Sequence, residues 1–332
     1  MKNYVVAKQS TVPRRCLVLG GRGFIGSHLT RALLAQGHEV RCFGRYGSGA
    51  LDNELANHPN YDHFEGDFNS AADLARALEG MDTCFHLVST TLPKSSNADP
   101  LFDVESNVLG TVRLLTLAVK ARLRKVVFVS SGGTVYGIPE SVPIHETHPT
   151  DPVCSYGIAK LAIEKYLALF HAQHGLDYAV LRLANPYGEG QRIESSQGAV
   201  AVFLGKMLRG EPVEVWGDGS VIRDYIHIDD VVDVLLPVLE YQGPERVFNI
   251  GSGRGHSINE VLDTLERAVG SDVARRYRPG RSFDVPESVL SIERARRALG
   301  WSPKVDFEQG IERFASWMKA QLAEQLEQVE RA

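Results

Sequence analysis

A tyrosine and a lysine four residues apart, Tyr156 and Lys160 in SYGIAK, open a long run of helical spacing. Side chains at i and i+4 share one face of a helix, so the phenol and the ammonium lie together. The ammonium stabilises the phenolate and lowers a phenol pKa of about 10 in water. A tyrosine so placed is a general base toward an alcohol near neutral pH. Shortly before it, the apolar run KVVFV passes into VSSGGTVYG (129–137), which concentrates hydroxyls and glycines where a strand ends.

A second constellation suits phosphate. Gly20, Gly21, Gly23 and Gly26 fall in LGGRGFIGSHL, between an apolar strand pattern and an amphipathic helix pattern. Glycines there allow a tight turn and let backbone amides approach a pyrophosphate at the helix N-terminus. With a parallel-sheet pattern beyond it, the turn predicts a dinucleotide site that includes Phe24 and Ile25. A nicotinamide cation near Tyr156 would lower the phenol pKa further. The end of the second strand separates NAD from NADP: an acid there bonds the ribose 2′-hydroxyl, whereas an arginine accommodates a 2′-phosphate. The sequence is CFGRYGSG, with Gly44 where the carboxylate is expected and Arg45 next. A permanently charged, bidentate guanidinium favours NADP. Asp67 of EGDF is placed either to bond the adenine amine or to cap the following helix. Phe68 beside it and Leu87 of DTCFHLV are further candidate cofactor contacts.

The elements that position these residues alternate. RRCLVLG, HEVRCFG, DHFEGD, DTCFHLV, KVVFVSS and LDYAVLRL read as strands. FIGSHLTRALLAQG, AADLARALEG, NVLGTVRLLTLAVKAR and SYGIAKLAIEKYLALFHAQHG read as helices between them. The alternation predicts an α/β fold, a Rossmann-type doubly wound parallel sheet. From about Asn185 the pattern loosens into glycine- and proline-rich loops, as in a smaller C-terminal α/β substrate-binding lobe. The expected division is 13–185 for the dinucleotide domain, with a returning segment near 222–250. The substrate lobe then takes 186–221 and 251–320, and 1–12 and 321–332 are flexible termini.

Composition excludes several function classes. The 332 residues are 43% hydrophobic, with a net charge of −5, which exerts no general pull on nucleic acid or anionic membrane. No apolar run approaches the roughly 20 residues needed to span a bilayer. The first residues lack a signal-peptide apolar core. Cys16, Cys42, Cys84 and Cys154 lie far apart without metal-type pairing, as small hydrophobes in a reducing cytoplasm would, and no metal site is expected.

Taken together, these motifs resemble the extended short-chain dehydrogenases/reductases, in the NAD-dependent epimerase/dehydratase family, and most of all its UDP-glucose 4-epimerases. The resemblance runs from about Arg14 to Trp301. GGRGFIGSHL, GDF, NVLGT, SSGGTVYG, YGIAK, LRLANPYG, WGDGSVIRDYIHIDD and RSFDVP carry it. It implies NAD as cofactor, Tyr156 as acid/base and Lys160 positioning the cofactor ribose, with Asn107 of NVLGT beside the catalytic helix. It implies Asn185 at the substrate, Arg223 and Arg281 on a diphosphate, Asp284 on the nucleotide ribose and Trp216 stacked on uracil. On physics alone, Arg223 and Arg281 are equally suited to surface ion pairs. The chain departs from the family at one point: aligned on VYG, the catalytic Ser/Thr falls on Gly132. Ser131 and Thr134 remain as alternative hydroxyls.

The implied reaction is 4-epimerisation of a UDP-sugar, by transient oxidation at C4 and re-reduction from the opposite face. Dehydration is discounted, because the family's Asp-Glu pair corresponds to Gly133 and Thr134. A 4-keto-sugar reductase or sugar dehydrogenase using NADPH is the alternative that Arg45 supports, and a non-catalytic dinucleotide-binding regulator is the alternative of another class. Ser288, where some relatives crowd the sugar 2-substituent with tyrosine, leaves room for an N-acetyl group. A homodimer through the two helices NVLGTVRLLTLAVKA and YGIAKLAIEKYLALF follows from the same resemblance.

Overall fold

Runs such as RCLVL and KVVFV are apolar on both faces, which suits strands covered by helices above and below. They build one sheet in the computed structural model, which describes residues 12–45, 53–192, 198–280 and 285–331. Its strands are β1 (Arg15–Leu19), β2 (Glu39–Gly44), β3 (Tyr61–Glu65), β4 (Thr83–His86), β5 (Lys125–Ser131), β6 (Asp177–Leu183) and, after three others, β10 (Val247–Ile250). The order is β10-β6-β5-β4-β1-β2-β3 and every pairing is parallel. Strand order reverses between β1 and β4, which opens a crevice at the strands' C-terminal ends.

Helices α1 (Phe24–Ala35) and α9 (Ile228–Glu240) cover one face, around Val18, Val127 and Leu181. Helices α3 (Ala71–Leu78), α6 (Gly110–Lys120) and α7 (Ser155–His174) cover the other, around Leu19, Phe128 and Val180. Short helices α2 (Asn53–Ala56), α4 (Pro93–Ala98) and α5 (Pro100–Asp103) lie in the connections. The helix expected over NVLGTVRLLTLAVKAR is continuous but begins as a π-helical segment, Val104–Leu109, that contains Asn107.

A second assembly holds β7 (Asn185–Tyr187), β9 (Ile222–His227), β11 (Gly255–Ser257) and β13 (Glu287–Ser288), with β8 (Val213–Trp216) paired to β12 (Arg275–Arg278). Helices α8 (Ala199–Leu208), α10 (Ile258–Val269) and α12 (Phe307–Arg331) enclose its core around Phe203, Leu262 and Phe314. Two boundaries differ from the sequence reading. β9, expected within the returning segment, pairs in the second assembly, and α9 with β10 makes the return. Helix α11 (Glu293–Leu299) and Trp301, expected in the substrate lobe, pack into the main core instead. Ile292, Ala295 and Trp301 are apolar and cover α9, and Trp301 Nε1 donates to the Asp230 carbonyl at 3.2 Å. Residues 321–331 continue α12, while 1–11 lie outside the described residues. Among the described residues, no helix is long and apolar enough to cross a membrane. All four cysteines are free thiols.

Candidate active site

The glycine turn after β1 is shaped by close approach. Gly20 adopts φ +81°, a region that disfavours side chains. A Cβ on Gly26 would lie 2.2 Å from the Gly20 carbonyl oxygen, so glycine is what lets α1 pack against the turn. Gly23 is the N-cap of α1; no side chain bonds the cap and no acid occupies the first turn. The amides around Phe24 and Ile25 are therefore available to an anion, reinforced by the helix dipole. Leu87 backs the turn, its carbonyl carbon 3.5 Å from where a Gly20 Cβ would lie. These residues fit the pyrophosphate of a dinucleotide. Arg45 is exposed just beyond β2. Asp67 does not cap α3: it accepts from the Asn69 amide at 2.9 Å, while Ser70, directly before the first helical residue, accepts from Asp73 N. Phe68 is buried against His86, centroids 5.1 Å apart.

Across the crevice, Tyr156 and Lys160 stand on the first turns of α7. The Lys160 ammonium is buried, donates to the Val129 carbonyl at 3.0 Å and sits 5.6 Å from the Tyr156 ring centroid. Burial lowers Lys160 to about 8, with the charges of Glu164 and Asp103 pulling the other way. Burial raises Tyr156 to about 12, opposed by a hydrogen bond with the Ser89 side chain. Nearby His86 is pushed down to about 3 by burial first and the Lys160 charge second, so it is a neutral wall.

The end of β5 resolves its hydroxyls by strand alternation. Ser130 is on the α7 side and is spent on Glu164, donating to Oε1 at 2.6 Å. Ser131 alternates with it onto the side of Val127 and Val129, which pack toward α1 and α9. Thr134 lies in the turn against α7, its carbonyl 2.8 Å from where a Gly157 Cβ would be. Its Oγ1 is buried without a hydrogen-bond partner among the described residues. Gly132 faces Leu290: a Cβ there would lie 2.5 Å from Leu290 Cδ1.

A cavity of about 450 Å³ lies in the second assembly, lined among others by Asn185, Lys206, Trp216, Arg223 and Tyr225. Asn185 Nδ2 donates to the Asp224 carbonyl at 2.8 Å. Arg223 Nη1 donates to the carbonyls of Ile222 and Val285, at 2.8 and 2.6 Å. Trp216 borders the mouth, 42% exposed. Arg281 and Asp284 lie outside the described residues.

Asn107 is brought beside α7, but its amide is engaged within the fold. Nδ2 donates to Asp103 Oδ1 at 3.0 Å and to Thr91 Oγ1 at 3.1 Å, and Oδ1 accepts from Thr90 N at 3.0 Å. The buried Asp103 carboxylate also accepts from Thr91 Oγ1 and, at 2.7 Å, from Ser155 Oγ. This network fixes the residue preceding Tyr156. A second buried set joins Arg182 to Glu164, 2.6 Å apart, and to Tyr136 OH at 2.9 Å. Sequence reading missed both networks. A faint signal existed for one, since Asp103 and Asn107 share the i, i+4 spacing that brought out Tyr156 and Lys160.

Compared with known proteins, the sequence profile of the NAD dependent epimerase/dehydratase family matches residues 16–251. The UDP-glucose 4-epimerase of Mycolicibacterium smegmatis is 39% identical over 303 residues, 90% of this chain and 96% of its own. Among solved structures, the UDP-glucose 4-epimerase of Thermotoga maritima with UDP-glucose has TM-score 0.87 at 37% identity, covering 93% of this chain and 99% of that one. The Thermus thermophilus UDP-glucose 4-epimerase complex with NAD has TM-score 0.84 at 34% identity, covering 92% and 99%.

Proposed function

The chain belongs to the NAD dependent epimerase/dehydratase family, and from that membership we propose that it is a nucleotide-sugar 4-epimerase acting on UDP-hexoses. The observation that carries the reading is the Tyr156–Lys160 pair, with the ammonium 5.6 Å from the ring centroid; the open glycine cradle and the cavity lined by Asn185, Trp216 and Arg223 support it. Tyr156 takes the proton of the sugar 4-hydroxyl and later returns it. Burial holds the phenol neutral at rest, opposed by the hydrogen bond with Ser89, and the Lys160 ammonium 5.6 Å from the ring is the cation placed to stabilise a phenolate during the reaction. When bound, the nicotinamide supplies reversible oxidation at C4. Thr134, with its unpartnered buried hydroxyl, takes the role left vacant at Gly132 in preference to Ser131. Arg223 and Arg281 hold the diphosphate, Asp284 the nucleotide ribose, Trp216 the base and Asn185 the sugar.

Asn107 supports the site from within, and Phe24, Ile25, Phe68, Asp67 and Leu87 border the cofactor. The cofactor is NAD(P), with the phosphorylated form favoured by Gly44 and Arg45. Ser288, small and paired in register with Arg223, leaves space for an acetamido group, so UDP-N-acetylhexosamines are accepted. Exposed Phe102, Val104, Leu109, Ile158, Tyr166 and Leu169 lie on adjoining helices and support a homodimer, which light scattering would read as twice the chain mass.

Purified protein is expected to interconvert UDP-glucose and UDP-galactose without added cofactor. Tyr156→Phe lowers that rate by about 10²–10⁴-fold with the fold intact; a variant as fast as wild type would falsify the proposal. The second reading, a 4-keto-sugar reductase, draws on the basic residue after β2. It predicts stoichiometric NADPH consumption with a keto sugar and no cofactor-free interconversion.

A further inference from the structure

The phenol of Tyr156 has a partner that the end of β5 does not supply. Its side-chain hydrogen bond is with Ser89, in the loop after β4, whereas Thr134 Oγ1 has no partner among the described residues. Ser89 Oγ also donates to the Thr91 carbonyl at 3.2 Å. A serine hydroxyl carries one proton and two acceptor lone pairs. With that proton on Thr91, the resting phenol is the donor and Ser89 the acceptor. An ionised phenol only accepts, so the bond then requires the serine proton to turn to it. Ser89 is exposed, and its hydroxyl rotates to suit.

The segment that carries Ser89 is fastened to the start of α7. The N-cap residue there, Cys154, receives no side-chain cap bond of its own making. The cap comes from α4: Ser96 Oγ accepts from the Tyr156 amide at 3.0 Å, and Asn97 Oδ1 accepts from the Ser155 amide at 2.9 Å. Ser96 is fully buried, and Asp103 holds Ser155 Oγ from the same connection. Backbone and hydroxyl of Tyr156 are thus tied to one stretch of chain. Burial is the main influence on the phenol; next comes the Ser89 bond, which favours the ionised form, against Cys154 and Asp103. The other titratable neighbours are the Lys160 ammonium, 5.6 Å from the ring, and neutral His86.

We propose that Ser89 is a further catalytic residue, its hydroxyl donating to the Tyr156 oxygen whenever that oxygen is ionised. The proposal rests on Tyr156 being the base of the epimerisation, and Ser89 touches the oxygen that takes the proton. As the phenolate accepts the proton of the sugar 4-hydroxyl, the Ser89 proton turns back to the Thr91 carbonyl. No covalent bond to the serine forms or breaks. Thr134 serves the sugar hydroxyl from the β5 side, so the two hydroxyls act at opposite ends of one proton transfer.

The pH dependence of kcat/KM for UDP-glucose tests this, since its acid limb reports the essential base of the free enzyme. Hydrogen bonds to a charged group are the strong ones, so Ser89→Ala should raise that apparent pKa by about one pH unit. The rate then falls about tenfold on the acid limb and recovers toward wild type at higher pH. Ser89→Thr, which keeps the hydroxyl, should restore the wild-type limb. Ser89→Gly repeats the deletion should alanine disturb the loop. The proposal is overturned if the apparent pKa stays in place, whether the rate is unchanged or lowered equally at every pH. It is overturned as well if Ser89→Thr behaves like the alanine variant. An unshifted limb beside an inactive Tyr156→Phe removes Ser89 alone, whereas Tyr156→Phe as fast as wild type removes the premise with it.

Discussion

At the α7 end of the site, Asp103, Ser155, Thr91 and Asn107 exchange hydrogen bonds largely out of water, and Glu164 and Arg182 pair with side chains 4% and 6% exposed. At the β2 end, Arg22 faces Glu65 at 3.7 Å with the carboxylate partly in solvent. Both ends use charge, but burial gives it different work. A buried, fully partnered group holds geometry, because any alternative strands a charge or a dipole in low dielectric. A pair whose carboxylate is partly in solvent, as Glu65 is, holds its partner more loosely.

The sharpest way to break this contrast is Arg182→Ala, which leaves Glu164 buried and unpaired. Unfolding free energy should fall by about 3–5 kcal/mol in urea titration. A loss below about 1 kcal/mol would mean that water reaches Glu164 and that the α7 end is not the rigid one. Gly132→Ser comes next. It restores the hydroxyl at the family's position, but its Cβ would meet Leu290 Cδ1 at 2.5 Å. Overpacking should cost about 1–3 kcal/mol, and Leu290→Ala in the same chain should relieve the clash. If the serine alone leaves stability unchanged, Leu290 does not define that wall.

Protons provide a third test. Lys160 titrates near 8 in the folded chain against an ordinary 10.5. The unfolded chain therefore holds more protons between those values, and stability rises as pH climbs from 8 to 10.5. Tyr156 is shifted the other way, from 10 to about 12. The folded chain then keeps its proton longer, and stability falls from pH 10 to 12. Lys160→Met should remove the rise between 8 and 10.5; a rise that persists assigns it to other groups. The smallest expected effect belongs to the β2 end: Glu65→Gln should change stability by less than about 1 kcal/mol, as partly exposed pairs do. A larger loss by thermal melting would show that Glu65 is structural there.

Much of the site was legible because its chemistry is local. Tyr156 and Lys160 are related by one helical turn, and the glycine turn is a strand–helix junction whose backbone dictates its residues. The helix and strand alternation likewise follows from the short-range patterning of buried runs. Legibility ended where partners are distant. Nothing in SSGGT identifies Leu290 as the residue opposite Gly132, and β9 gave no sign that it would join the second sheet. The capping alternative for Asp67 was removed only by where α3 begins, with Ser70 at its N-cap.

The sequence by itself determined the parallel α/β sheet, the glycine turn and the phenol–ammonium pair, since each depends on spacings of a few residues. Tertiary structure decided which hydroxyl after β5 is buried without a partner among the described residues, what fills the space at Gly132 and that Arg22 reaches the side chains of β3. Those depend on strand alternation, register and packing between segments far apart in the chain, where burial and distance, not residue type, set what a side chain can do.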